Sequence, residues 1–237
     1  MKKILFILLV TASITSCKKN SDDTMPGNPV NLDNKIKQLI GGGTTTYSYD
    51  AAGRVTKKLH QDGSKSIFEY SSGKVTEKQY KADGTLLATY IGEMDNKGLI
   101  VKQTNLSDPT YQELRVYNND LQLTKATTTN NGITTTADYF YSNGNCDSAR
   151  FSNPGGWQST IRQTFYTDKL NVLDYDVTGQ EYFGHKSKNL IKTEQYFFSN
   201  GSVNPVVTYS FEYDGKGRVI KIIEEFNGDI DITNYTY

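Results

Sequence analysis

Tyr49–Val55 reads YDAAGRV and Tyr213–Val219 reads YDGKGRV. Asp, Asn and Ser bond their own backbone, and Gly supplies positive φ without steric cost, so each copy is a turn between two short β-prone runs. Working outward, related turns recur as YSSGKV at Tyr70, MDNKGL at Met94, YNNDLQL at Tyr117, YSNGNC at Tyr141, YTDKL at Tyr166 and GHKSKNL at Gly184, with Tyr237 opening an unfinished one. Tyr49 to Tyr237 spans eight intervals with a mean of 23.5 residues. A second set of turns lies between them, ending at Gly63, Gly84, Gly132, Gly156, Gly179, Gly201 and Gly228. Each unit is strand, turn, strand, turn, and self-similarity at this period signals a repeat architecture.

Composition agrees. Hydrophobic residues make up 36% of the chain, yet it holds 17 tyrosines and 10 phenylalanines, side chains that suit a pleated, half-buried surface. After the first residues no long segment has apolar side chains at three-four spacing, so the chain reads as all-β. Alternation places Tyr47 and Tyr49 on one face, Val55 and Leu59 on another, and Tyr209, Phe211 and Tyr213 along one side.

The turns also resemble the YD repeats of the RHS family, in which units near YxYDxxGRL form hairpins that wind into large sheets. That resemblance implies a shell-like sheet. Asp108-Pro109-Thr110 lacks the rest of the self-cleaving core motif, so toxin delivery is not implied. In signal type, size and repeat style the chain is also similar to a family of small Bacteroidetes lipoproteins of unknown function with a porin-like fold, which implies a large antiparallel barrel.

The two chain ends point to closure. Lys35–Ile40, KIKQLI, has the character of the second strand of a unit, and Asp229–Tyr237, DIDITNYTY, that of a first strand. Half a unit at each end lets the first and last strands pair, which removes both sheet edges. The expected fold is an antiparallel meander of about 16 to 18 short strands, closed or curled into a large flattened barrel. A β-propeller or β-sandwich is the alternative. Strands such as KVTEKQY are short and charged on both registers, whereas spanning strands need about 9 to 11 residues and an apolar outward row. The barrel is therefore expected to stand in water.

The chain opens MKKILFILLVTASITSCKKNSDD. Lys2 and Lys3, the apolar run Ile4–Val10 and the small residues after it have the layout of a secretory signal peptide, too short to span a bilayer. Ile14-Thr15-Ser16-Cys17 resembles a lipobox, which implies lipid attachment at Cys17 after removal of residues 1–16. Several acyl chains anchor firmly, at roughly 0.8 kcal/mol per buried methylene. Residues 17–34 are polar, without apolar period, and read as a flexible tether to a single β domain at 35–237. Ser21-Asp22-Asp23 resembles the acidic signal that exports some Bacteroidetes lipoproteins, so the expected location is the outer membrane, facing the periplasm or the cell surface.

Removing residues 1–16 takes away two lysines and leaves 24 basic against 26 acidic side chains, with no clustered basic face for nucleic acid. With Cys17 acylated, Cys146 has no disulfide partner, and its alignment with Val55, Val75 and Val219 marks it as a small buried hydrophobe rather than a nucleophile. His60 and His185 sit in turns and lack a third ligand at metal spacing, so neither a metal nor a cofactor is expected. Asp229 and Asp231 share a strand face, as Glu224 or Glu225 does with a neighbour, and a glycoside-acting enzyme would need such a pair in a cleft with a raised pKa. Binding is the reading favoured here: aromatic rows stack sugars or grip peptides, and Trp157, the only tryptophan, follows the NPGG turn where a loop can present it to a glycan or protein ligand. A tethered scaffold or an RHS-type shell component fits the same residues.

Overall fold

The computed structural model describes residues 32–237. Its strands are β1 Gln38–Ile40, β2 Thr44–Tyr49, β3 Val55–His60, β4 Lys65–Ser71, β5 Lys74–Tyr80, β6 Leu86–Met94, β7 Ile100–Asn105 and β8 Asp108–Tyr117. The second half holds β9 Leu123–Asn130, β10 Ile133–Ser142, β11 Asn145–Ser152, β12 Gln158–Leu170, β13 Asn189–Phe198, β14 Val207–Tyr213, β15 Val219–Phe226 and β16 Asp229–Thr236. Every strand pairs antiparallel with its sequence neighbours, and β1 pairs with β16 through Gln38↔Thr236, Leu39↔Tyr235 and Ile40↔Asn234. The sheet is a closed barrel of 16 strands, as the half units at the chain ends imply, and neither a propeller nor a sandwich. The signal peptide, Cys17, Ser21-Asp22-Asp23 and nearly all of the tether lie outside the described residues.

The structure decodes the YDxxGRV sentence letter by letter. The aspartate closes its own turn: Asp50 Oδ1 accepts from the amides of Ala52 and Arg54, and Asp214 Oδ1 from those of Lys216 and Arg218. Glycine takes the left-handed position, with φ 76° at Gly53 and 78° at Gly217. The arginine pairs with that aspartate, at 2.7 Å for Arg54–Asp50 and 2.6 Å for Arg218–Asp214. Each guanidinium also lies 4.4 Å from the ring centre of a neighbouring tyrosine, Tyr70 or Tyr237. The valine is fully buried in both copies.

Tyrosine links one unit to the one before. Tyr70 donates its hydroxyl hydrogen to the Val55 carbonyl (2.8 Å), Tyr117 to Ile100 (3.0 Å), Tyr141 to Leu123 (2.9 Å) and Tyr237 to Val219 (2.9 Å). Tyr49 reaches the Ile36 carbonyl in the same way. Each acceptor belongs to the residue that starts the strand after the preceding turn, apart from Ile36, which precedes β1. A phenylalanine would fill the space and leave that carbonyl short of a partner.

One expectation from alternation fails for a local reason. Tyr49 faces Val55 but Ser48 faces Lys57, so Thr56 is an extra residue in β3. This β-bulge splits Val55, fully buried, from Leu59, 37% exposed, which the sequence pattern had placed on one face. The same bulge follows the turns at Met94, Tyr117, Tyr141 and Tyr213. The shorter YSSGKV turn lacks it, pairing Tyr70 with Val75 and Glu69 with Thr76.

A second correction concerns residues 166–188. YTDKL at Tyr166, VTG at Gly179 and GHKSKNL at Gly184 do not form hairpin turns. Tyr166–Leu170 continues β12, and the chain then folds into two short 3-10 helices, Tyr175–Thr178 and Glu181–Phe183, before β13 begins. This segment plugs the end of the barrel where the YD turns lie. The Ile36 amide donates to Val177 O, the Val55 amide to Gly179 O, the His185 amide to Leu121 O and the Lys188 amide to Gly144 O, so the plug is bonded to four places around that mouth. Tyr182 joins a buried cluster with Val55, Phe68, Val75 and Ile100, and a second cluster gathers Ala137, Ala149, Phe151 and Ile161.

Register also assigns the outer face. Glu93 faces Lys102, Lys125 faces Asp138 and Glu212 faces Lys221 on it, forming ion pairs at 3.9, 3.9 and 2.9 Å. Among the described residues no helix is long and apolar enough to cross a membrane.

Candidate binding site at the open mouth

With one end plugged, the turns at the other end frame an open mouth: β1–β2, β3–β4, β5–β6 and so on to β15–β16. A cavity of about 710 Å³ sits there, lined by Leu39, Gly42, Gly43, Thr44, Thr45, His60, Gln61, Asp62 and Ser64. Its walls are set by turn chemistry. Asp62 Oδ1 accepts from the Ser64 amide and hydroxyl (2.9 and 2.6 Å), Gln61 Oε1 accepts from the Thr44 amide (3.1 Å), and His60 Nδ1 is 3.0 Å from Thr45 Oγ1. Gly42 has nothing within 4 Å of where a Cβ would stand and Gly43 only Gln61 Oε1 at 3.7 Å, so these two leave the space open, while a Cβ at Gly41 would stand 3.0 Å from Thr233 Oγ1.

Below the rim the lumen is aromatic and acidic. Tyr47 lies two residues below Thr45 on the same inward face, and Tyr235 is directly opposite Leu39. Asp229 and Asp231 share the inward face of β16, and Asp231 faces Glu224 across the ladder. Burial raises the Glu224 carboxyl above its ordinary pKa, and the charges of Asp231 and Glu194 add to the effect. Glu194 accepts a hydrogen bond from Gln163 Nε2 (2.6 Å), and burial also raises the nearby Tyr196 and Tyr209 hydroxyls. Glu225 instead faces Ile230, on the outer side.

The candidates from sequence are dispersed. Trp157 is 45% exposed on the same rim, its amide bonded to Asn153 Oδ1 (3.2 Å), but β13 to β16 separate it from the cavity. His60 lines the cavity. His185 is not a free turn residue but part of the plug, with Nδ1 3.3 Å from Asp174 Oδ2. Cys146 faces Tyr141 and is 3% exposed, and burial pushes its thiol up to about 12. Among the described residues no group of three or more His, Cys, Asp or Glu side chains could hold a metal ion. Sequence reasoning missed the cavity, whose one signal was the glycine run, and the plug, whose signal was the loss of period after Tyr166.

No protein-family model matches the sequence, and no curated protein matches it. The fold defines the chain as a large antiparallel barrel protein, and solved structures share it. A porin-like protein from Bacteroides uniformis superposes with a TM-score of 0.62 at 17% identity, over 85% of this chain and 97% of that one. One from Bacteroides vulgatus gives 0.60 at 12% identity, over 86% and 98%. The much longer TcdB2-TccC3 chain aligns over 82% of this one and 13% of its own length, with a TM-score of 0.38 at 15% identity. For the two porin-like proteins, at these identities, the likeness is one of fold.

Proposed function

We propose that this chain is a lipoprotein of the outer membrane, held by an acylated Cys17, whose barrel stands in water and binds a glycan or a polypeptide through its open mouth. The observation that carries the reading is the asymmetry of the barrel: one end is sealed by a hydrogen-bonded plug, and the other holds a 710 Å³ cavity walled by hydroxyl, amide and imidazole groups above a tyrosine-lined lumen. The charged pairs on the outer face favour water over lipid there, since a spanning barrel presents an apolar band. The test combines a glycan array with peptide and protein pull-downs on the mature chain. Binding that weakens with His60→Ala or Gln61→Ala supports the mouth as the binding face, and binding untouched by both overturns it. Radiolabelled palmitate incorporated into the wild-type chain and not into Cys17→Ser tests the anchor.

A second reading has one observation behind it. Glu224, raised by burial and facing Asp231, has the character of a general acid beside a second carboxylate. Glycosidase activity that vanishes in Glu224→Gln and in Asp231→Asn, with the fold intact, would move the chain to the enzymes.

A further inference from the structure

Six consecutive turns of the open rim, from β5–β6 to β15–β16, each hold or directly adjoin an exposed large apolar side chain. These are Leu86, Leu106, Ile133, Trp157, Val203 and Phe226, 39 to 63% exposed. The two remaining turns, β1–β2, which adjoins Ile40 at 38% exposed, and β3–β4, carry the cavity. At the plugged end the turns at 50–54, 72–73, 95–99, 118–122 and 143–144 hold and adjoin none, and the exposed Leu170, Val172 and Tyr213 there stand beside two connections only. Single exposed apolar residues are ordinary on any surface, but an arc of them on one rim marks an interaction site.

Inside the arc the mouth is acidic. Glu194, Glu224, Asp229 and Asp231 face the lumen, and among the described residues none of them forms a salt bridge. Among the inward basic groups, Lys58 is held by Gln180 of the plug and Arg115 by Glu113, and Lys186 of the plug lies 4.7 Å from the Tyr175 ring centre. The described chain begins at the other end, where Arg218 donates to the Asp33 carbonyl.

We infer that the open rim is a docking surface for a polypeptide segment that carries basic side chains flanked by apolar ones. The arc covers the apolar side chains, and the lumen carboxylates attract the basic ones. The inference rests on the open mouth being the binding face.

The test uses the mature full-length chain and a synthetic peptide of alternating Lys and Leu without tryptophan, so that Trp157, the only tryptophan, reports contact. The expected result is saturable binding with a blue shift of Trp157 emission, weakened about tenfold between low and high salt as screening removes the charge term. Leu106→Asp with Ile133→Asp, and separately Glu224→Gln with Asp231→Asn, should each weaken it at least fivefold, while Leu170→Asp at the plugged end leaves it unchanged. Circular dichroism confirms that each variant is folded. Equal binding of a Ser-Leu peptide, equal binding by all variants, an equal shift on phosphatidylcholine vesicles, or self-association abolished by Ile133→Asp would overturn the inference. If an oligosaccharide binds in a His60-dependent way and the peptide does not, the inference falls and the mouth remains the binding face. If neither binds, both fall.

Discussion

The Val55 amide donates to the Gly179 carbonyl over 3.2 Å, which joins the first YD turn to a plug more than 120 residues away in sequence. Gly179 has φ 66°, and a Cβ there would stand 2.5 Å from Gly53 O and 2.6 Å from Val55 N. Those neighbours are backbone and cannot swing aside. Gly179→Ala should therefore cost about 2 to 4 kcal/mol, combining left-handed strain with a backbone clash. Urea denaturation checks this, and an unchanged midpoint would show that the plug is not locked to the turn.

The tyrosine ties predict a smaller, graded effect. Tyr117→Phe removes the bond to the Ile100 carbonyl and should cost about 1 to 2 kcal/mol, because the acceptor is left in a buried setting. The control is Thr76→Ser on the outer face of β5, expected within about 0.5 kcal/mol of the wild type. Equal effects in the two variants would mean that the hydroxyls do not hold the repeats together.

The barrel was legible in the sequence because each hairpin is specified locally. Tyr, Asp, Gly and the β-branched residue act within one turn, and the half units at Lys35–Ile40 and Asp229–Tyr237 name the strands that close the ring. The bulge at Thr56 was not legible, because a single extra residue reverses the alternation without altering the composition. The plug was hidden for a different reason. Tyr166, Gly179 and Gly184 are turn-like residues, but Gly179 and Gly184 are glycines because Gly53 O and Leu121 O approach them from distant turns, a tertiary demand that mimics a local signal. The mouth was missed because a cavity is made of what is absent, and Gly42 and Gly43 line it without any chemistry of their own.

Gly92 tests packing in isolation from backbone strain. It lies opposite Gln103 and Val75, and an added Cβ would stand 2.6 Å from Ile100 Cδ1 and 3.0 Å from Val75 Cγ1. Gly92→Ala should destabilise by about 1 to 3 kcal/mol through overpacking. Ile100→Val removes Cδ1, the nearer of the two Ile100 atoms in the way, and leaves a γ-carbon where Cγ1 stands at 2.9 Å, so the double variant should lose somewhat less than the sum of the two single ones. A strictly additive cycle would show that Ile100 is not the obstacle.

Cys146 should be chemically silent while the barrel is closed. Burial pushes its thiol up to about 12 and leaves it 3% exposed, so both thiolate and access are lacking. In a Cys17→Ser chain at pH 8, labelling by Ellman's reagent should follow global unfolding, slow in buffer and complete in denaturant. Fast labelling in buffer would show that the seam between β10 and β11 opens readily.

The plug carries one titrating contact whose sign can be worked out. The bond to Asp174 raises the His185 pKa above its ordinary value, against the effect of burial, and the charges of Asp174, Asp176 and Glu181 raise it further. A folded value above the unfolded one, near 6.5, means that this contact contributes fully below that pH and is lost as pH rises past the folded value. His185 is about one-third exposed, so screening keeps the contribution under about 1 kcal/mol. Asp174 also accepts from the Tyr175 and Lys186 amides, so loss of the His185 contact should loosen the plug slightly without releasing it. Hydrogen exchange of residues 174–186, corrected for intrinsic rates, should therefore be faster at pH 8.5 than at pH 5.5. His185→Gln should flatten that difference, and a pH dependence that survives the substitution would assign it to another group.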